Sequence, residues 1–311
     1  MRHRGLVVLL GALTVMSAAW VARAPVGEAA AAEAPRPLPF FYDLFTFRGE
    51  TPTTTTVIAS FAVPLGELES ERADWGRRYR FDVVLVLADT ALKSVTRTAD
   101  SVYARLPGSL DADHLLHTHV EVQAPPSGTT VHRVIMTDAT TPGIGQMYSE
   151  VFPIPDYSGD ELMISDIALG LPDAAEGWQR RDATLALIPT SRFPESSFDV
   201  YYEIYNLPYA DWYDTEVSVA RLNREGEVRG DPVTLRFSDE SVADEDDVLS
   251  ELRRVGTSLD RGRYRLTVTV TNQRTGETAT QERRFEVRGW GEGVTMVQAN
   301  PRVWEIAGEG R

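Results

Sequence analysis

Residues 263–287, RYRLTVTVTNQRTGETATQERRFEV, constrain the fold more than any other stretch. Tyr264, Leu266, Val268 and Val270 fall on one side of an extended chain, and Arg265, Thr267, Thr269 and Thr271 on the other. A period of two marks a strand with one face in a core and one in water. Asn272, Gln273, Arg274, Thr275 and Gly276 read as a tight connection, with Gly276 supplying the positive φ such a loop needs. Arg283, Phe285 and Val287 resume the alternation, so the stretch predicts a β-hairpin.

An earlier stretch repeats it. Laying Thr137, Asp138, Gly143 and Phe152 on Thr271, Asn272, Gly276 and Phe285 gives a separation of 134 for the threonines and 133 for the glycines and phenylalanines, as a one-residue loop insertion would produce. Two strand–turn–strand units near the ends of two comparable segments predict duplicated sandwich domains. A chain of 311 residues has room for two such domains. The expected class is all-β: two tandem immunoglobulin-like β-sandwiches, the first over 38–169 and the second over 183–288. Gly, Pro and charge in 170–182 suggest a linker, and 289–311 reads as a tail in which 294–297 is a candidate edge strand. Further strands are expected at 54–63, 79–88, 92–106, 114–122, 131–137, 146–154, 161–169, 183–188, 198–205, 215–222 and 233–237. One short helix is expected over 244–255: acidic residues fill its first turn, Arg253 and Arg254 its last, and Val248, Leu249, Leu252 and Val255 make an apolar stripe.

Residues 1–34 have the form of a signal peptide or N-terminal anchor. A short basic start is followed by an uncharged apolar run over 5–21 and by small residues around Ala24 and Ala29. The expected location is therefore periplasmic or extracellular, with no membrane contact beyond this segment. The chain has no cysteine, which excludes disulfides and thiolate chemistry. A net charge of −15 disfavours nucleic acid as a partner.

The Ser165-Asp166-Ile167 step, the run from Tyr202 to Leu207, and the hairpin from Gly262 through Thr275, Gly276 and Phe285 to Val287 resemble the β-sandwich region of secreted bacterial GWxTD-domain proteins. The motif that names those proteins is absent: Gly177-Trp178-Gln179-Arg180 and Gly289-Trp290-Gly291-Glu292 do not complete it. The resemblance implies fold and export and carries no activity.

Three groups of residues are candidates for a site. His117, His119 and Glu121 share one face of a strand, and His132 is expected on its partner, a set able to hold Zn²⁺ if the ligands converge. The competing reading leaves them as polar groups on a wet face. Asp239, Glu240 and the acidic run 244–247 lack the Gly-turn spacing of a calcium loop. Tyr201 and Tyr205 alternate with an inward row of Phe198, Val200, Tyr202 and Ile204, and Tyr209, Trp212 and Tyr213 follow. An outward aromatic row can bind a protein partner or stack on a glycan, unless the linker or the first domain covers it. No Gly-x-Ser-x-Gly elbow, His-Glu-x-x-His, phosphate loop or dinucleotide fingerprint occurs, and no cofactor is expected. The chain is thus expected to be an exported, non-catalytic interaction or scaffold module with a protein partner in the cell envelope. A carbohydrate-binding module and a hydrolase using an unrecognised carboxylate site are the alternatives.

Overall fold

The computed structural model describes residues 36–90, 94–172, 176–189, 197–241, 247–256 and 259–287, together with the backbone of 296–298. The expected leader and most of the tail lie outside the described residues. In chain order the strands are β1 (Phe41–Arg48), β2 (Thr55–Pro64), β3 (Ser70–Arg72), β4 (Arg77–Asp89), β5 (Val95–Leu106), β6 (Leu115–Ala124), β7 (Thr130–Asp138), β8 (Gly145–Val151), β9 (Met163–Ile164) and β10 (Ala168–Leu171). They continue with β11 (Trp178–Arg180), β12 (Ala183–Leu187), β13 (Ser197–Tyr205), β14 (Trp212–Leu222), β15 (Val233–Glu240), β16 (Val248–Gly256), β17 (Gly262–Asn272), β18 (Thr278–Val287) and β19 (Met296–Gln298). The protein is all-β, and its sheets pair antiparallel except where β19 lies parallel to β6.

Two sheet-on-sheet cores fill separately. In the first, Val57, Phe61 and Leu116 of the sheet β1-β2-β6 meet Phe81, Val83, Leu85 and Val134 of the sheet containing β4, β5, β7 and β8. In the second, Leu169, Phe198, Val200 and Val255 of the sheet containing β10, β13 and β16 meet Val217, Leu266, Val268 and Phe285 of the sheet β15-β14-β17-β18. The strand order repeats as well. β5-β4-β7-β8 corresponds to β15-β14-β17-β18, and β1-β2-β6 corresponds to β10-β13-β16.

The hairpin repeat holds at the level of register. Thr137 pairs with Gly145 in one copy and Thr271 with Thr278 in the other, which are the offsets of 134 and 133 found in the sequence. Asp138 Oδ1 accepts from the amides of Thr140 and Thr141 at 2.7 and 2.9 Å, and Asn272 Oδ1 accepts from those of Arg274 and Thr275 at 2.8 and 3.0 Å. The two turns share one side-chain device, an oxygen that caps backbone N–H groups two and three residues on. Gly143 and Gly276 both take positive φ, +89° and +74°. Phe152 donates its amide to Thr130 and Phe285 pairs with Tyr264, again at equivalent places, and each packs against the core of its own sandwich.

The expected helix over 244–255 is corrected over 247–255, its first three residues lying outside the described residues. Residues 248–256 form β16, nine residues in register with β13, and among the described residues there is no α-helix. Leu249 and Val255 enter the second core, while Val248 packs on the opposite face with Tyr157 and Tyr205. Apolar residues on both faces of a strand break the period of two and mimic a helical stripe. Within 170–182, β10 and β11 belong to the second sandwich's sheet. Gly170 is required there, because a Cβ would lie 2.4 Å from Cγ of Leu185.

Candidate functional site

The residues with the richest chemistry lie at the seam between the two sandwiches. The outer face of β1 and β2 presents Phe45, Phe47 and Ile58, which pack with Ala168, Trp178, Leu185, Leu187 and Tyr201 into a third apolar cluster. Trp178 stands edge-on to Tyr201 at 5.4 Å and lies 5.1 Å from Phe47. β2 and β13 are therefore buried on both faces, which explains their near-continuous apolar and aromatic composition.

Glu203, on β13, sits inside this seam with no exposed surface. Its carboxylate accepts from Arg180 through Nε and Nη2 at 2.7 and 2.9 Å, from Arg181 Nε at 3.2 Å, and from the hydroxyls of Tyr201 and Tyr205 at 2.8 and 2.7 Å. Burial alone would raise its pKa, but the hydrogen bonds and charge of Arg180 with the two tyrosines hold it below the ordinary value. Burial and the Glu203 charge push both phenols well above theirs. The first sandwich is tied in directly. Arg180 Nη2 donates to the Arg48 carbonyl at 2.8 Å, and the Arg48 amide donates to Tyr205 Oη at 2.8 Å. Further along the seam Asp166 accepts from the amide and hydroxyl of Thr46 at 2.8 and 2.7 Å, so the Ser165-Asp166-Ile167 step serves as a strut. Arg283 pairs with Asp43 and lies over the Phe45 ring.

The outward aromatic row is a second correction. Tyr201 and Tyr205 are fully buried because the first sandwich covers that face, and Tyr213 is buried with its hydroxyl on Glu251 at 2.6 Å. Tyr209 and Trp212 alone of the five remain exposed, at 76% and 51%.

The structure does not bring the histidine set together. β6 pairs with β2 and β19, whereas β7 pairs with β4 and β8, so His132 lies in the opposite sheet. There its Nε2 meets Tyr42 Oη at 3.2 Å. His117, His119 and Glu121 do share a face, and the second sandwich covers it at His117, leaves His119 half-buried and leaves Glu121 exposed. His117 Nδ1 bonds the Leu187 carbonyl at 3.1 Å, and Glu121 accepts from the Trp178 indole at 3.1 Å. Burial lowers the His117 pKa to about 4, a neutral imidazole across the physiological range. Among the described residues no group of three His, Asp or Glu is placed to hold a metal ion. Asp239 is engaged by Arg253 at 2.8 Å.

A hydrolase needs a hydroxyl or water within reach of a base. Asp43, Ser60 and His119 do face one another across β1, β2 and β6. Ser60 Oγ is buried without a hydrogen-bond partner, and Asp43 pairs with Arg283.

One open feature adjoins the Glu203 hub. A cleft of about 580 Å³ is lined by Arg48 to Pro52, Tyr157 to Asp160, Gln179 to Arg181, and Asn206. Two of its residues, Arg181 and Asn206, hold left-handed backbone at φ 50° and 64°. The arginines and Glu203 escaped sequence reasoning. The available signal was a lone carboxylate between Tyr201 and Tyr205 on one face of an otherwise apolar strand.

No protein-family model matches the chain, and no curated protein does. Among solved structures, red sea bream transglutaminase aligns at 14% identity and a TM-score of 0.23, over 79% of this chain and 31% of its own. A calcium-binding mutant of Bacteroides uniformis β-glucuronidase 2 aligns at 10% identity and a TM-score of 0.25, over 78% of this chain and 27% of that one. The chain thus spans about a third or less of the length of these structures, and alignments this loose carry nothing about activity.

Proposed function

We propose that the chain is an exported, non-catalytic interaction module of the bacterial envelope, built as two immunoglobulin-like sandwiches acting as one rigid body. The observation that carries this is the Glu203 hub: charge and phenols that would equip a site are turned inward, where they join the sandwiches. The repeated strand order supports the immunoglobulin-like reading and is compatible with the resemblance to GWxTD-domain proteins. A body of fixed shape holds its outer surfaces at fixed separation, which suits a scaffold. Tyr209 and Trp212, exposed on the second sandwich, are the contact residues in this reading.

The test is site-specific photo-crosslinking in cells of the source organism, with the probe at Tyr209 or Trp212 and a control at Trp75 of the first sandwich. Discrete adducts with one envelope protein from the first two positions are expected. Recovery of uncrosslinked chain alone, or of the chain in the cytoplasmic fraction, contradicts the proposal. Carbohydrate binding remains the second reading, because the same two rings are exposed. Retained glycan binding after Tyr209→Ala and Trp212→Ala would remove it.

A further inference from the structure

We infer that the outer face of β4, β5, β7 and β8 docks an amphipathic helix of a protein partner, one whose apolar stripe is bordered on both sides by carboxylates. Register defines that face. Val95, Ala88, Val131 and Val151 lie side by side across the four strands, and so do Ala99, Val84, Ile135 and Met147. Between these two apolar rows runs a third, in which Val86 stands between Arg97 and Arg133. Val95, Met147 and Val151 are more than half exposed, and no residue of the three rows belongs to the core cluster of its sandwich.

The fold does not impose an apolar surface here. In the equivalent sheet of the second sandwich, Ala99, Val84, Ile135 and Met147 correspond in register to Arg236, Glu216, Thr269 and Thr280. There Arg236 Nε donates to Glu216 at 2.8 Å and the two threonine hydroxyls bond each other at 3.1 Å, so that face satisfies itself. Its counterpart does not. Arg97 and Arg133 are exposed, and among the described residues neither guanidinium has a hydrogen bond or an ion pair. A contiguous apolar surface carried by one copy only of a repeated sheet marks a contact surface.

Geometry chooses the occupant. At about 3.4 Å per residue, Val84, Val86 and Ala88 form an apolar ridge about 13 Å long, with an arginine on the neighbouring strand to either side of its middle. About nine residues of α-helix cover that length. A helix laid along β4 sets its apolar stripe on the ridge and presents the residues bordering the stripe to Arg97 on one side and Arg133 on the other. Carboxylates at those borders complete both ion pairs. A second copy of this face does not match it. Across a two-fold axis the arginines meet arginines or apolar side chains, and Asp82, the carboxylate beside the rows, already accepts from Ser101 Oγ at 2.6 Å. An anionic bilayer is repelled by the net charge of −15.

The inference rests on the interaction-module reading only for the presence of a partner, and it goes beyond Tyr209 and Trp212, which lie on the other sandwich. Two labelled peptides are titrated into the full chain by fluorescence anisotropy: capped triple repeats of Glu-Leu-Ala-Ala-Leu-Glu-Ala and of Lys-Leu-Ala-Ala-Leu-Lys-Ala. They differ only in the residues that border the leucine stripe. The acidic peptide should bind saturably and about tenfold more tightly than the basic one, although a chain of net charge −15 attracts cations. Arg97→Gln with Arg133→Gln should erase that preference. Val84→Thr with Ile135→Thr should weaken the acidic peptide about tenfold at an unchanged melting temperature, since the second sandwich carries polar residues at both equivalent places. A basic peptide bound as tightly as the acidic one, or a preference that survives loss of both arginines, overturns the assignment. So does binding of phosphatidylglycerol vesicles with both peptides silent, which describes a lipid surface. A dimer in sedimentation equilibrium that Ile135→Thr dissociates also overturns it, since the occupant is then a second copy. No peptide binding together with an adduct from Trp212 removes this face and leaves the interaction module standing.

Discussion

The two sheets of the second sandwich bury one core yet read differently as sequence. In the outer sheet, β17 alternates strictly between Tyr264, Leu266, Val268 and Val270 inside and Arg265 and three threonines outside. In the seam sheet, β13 is buried at eight successive positions from Phe198 to Tyr205, and β16 carries apolar residues on both faces. Alternation records the boundary between core and water, so it disappears where a strand has no wet face. The lesson is energetic as well as formal. Outer-face residues of the first kind of sheet touch water and contribute little, while those of the second kind hold the two sandwiches together.

The sharpest break of that comparison uses one carboxylate from each sheet. Glu203→Ala leaves Arg180, Arg181 and two phenols without their common acceptor in a buried seam, and should cost about 3–5 kcal/mol in urea unfolding. Glu282→Ala removes a 49%-exposed partner of Arg265 and should stay within about 0.5 kcal/mol. Similar small losses in both would make the seam ornamental.

The next effect is pH-dependent. Folded His117 has a pKa near 4, below the ordinary 6.5 of the unfolded chain. Between those values the unfolded state binds the proton and the folded state does not. His117 stability is therefore fully present above pH 6.5 and is lost as pH falls towards 4, by up to about 3 kcal/mol. His117→Gln should flatten the denaturation midpoint across that window. An unchanged slope would mean that the imidazole is not sealed by the second sandwich.

Smaller effects sharpen the equivalence of the two hairpins. A Cβ at Gly143 or Gly276 meets no atom within 4 Å, so Gly143→Ala and Gly276→Ala each test the left-handed backbone alone and should lower stability by about 1–2 kcal/mol. Asp138→Ala and Asn272→Ala, read by thermal melting, should each cost about 1–2 kcal/mol through the lost turn bonds and the bond each makes beyond the turn, to the Glu69 amide and to Asp211. A full effect in one hairpin and none in the other would argue that the repeated register is not a repeated device.

These contrasts also explain what was legible in the sequence. Strands with one wet face, β4, β14, β17 and β18, were predictable within a few residues, as were the continuous apolar runs of β2 and β13, and the turn chemistry of Gly276 follows from its residue type. The stripe of Val248, Leu249, Leu252 and Val255 fits a helix as well as a strand with apolar residues on both faces, and only the long-range pairing with β13 decides between them. Tyr201 and Tyr205 have the spacing of an outward row, and no local rule reveals that another sheet lies over them. The arginines of the hub come from β1 and β11, far apart in sequence, and converge only through the seam.

The account stands on the seam locking two sandwiches into one body. The cysteine-free chain allows spin labels at Ala99→Cys on β5 and Thr234→Cys on β15, one outer sheet of each sandwich. Pulsed dipolar spectroscopy between them should give a single narrow distance distribution, which broadens on adding Glu203→Ala. A broad or multimodal distribution in the otherwise unaltered chain would contradict the claim.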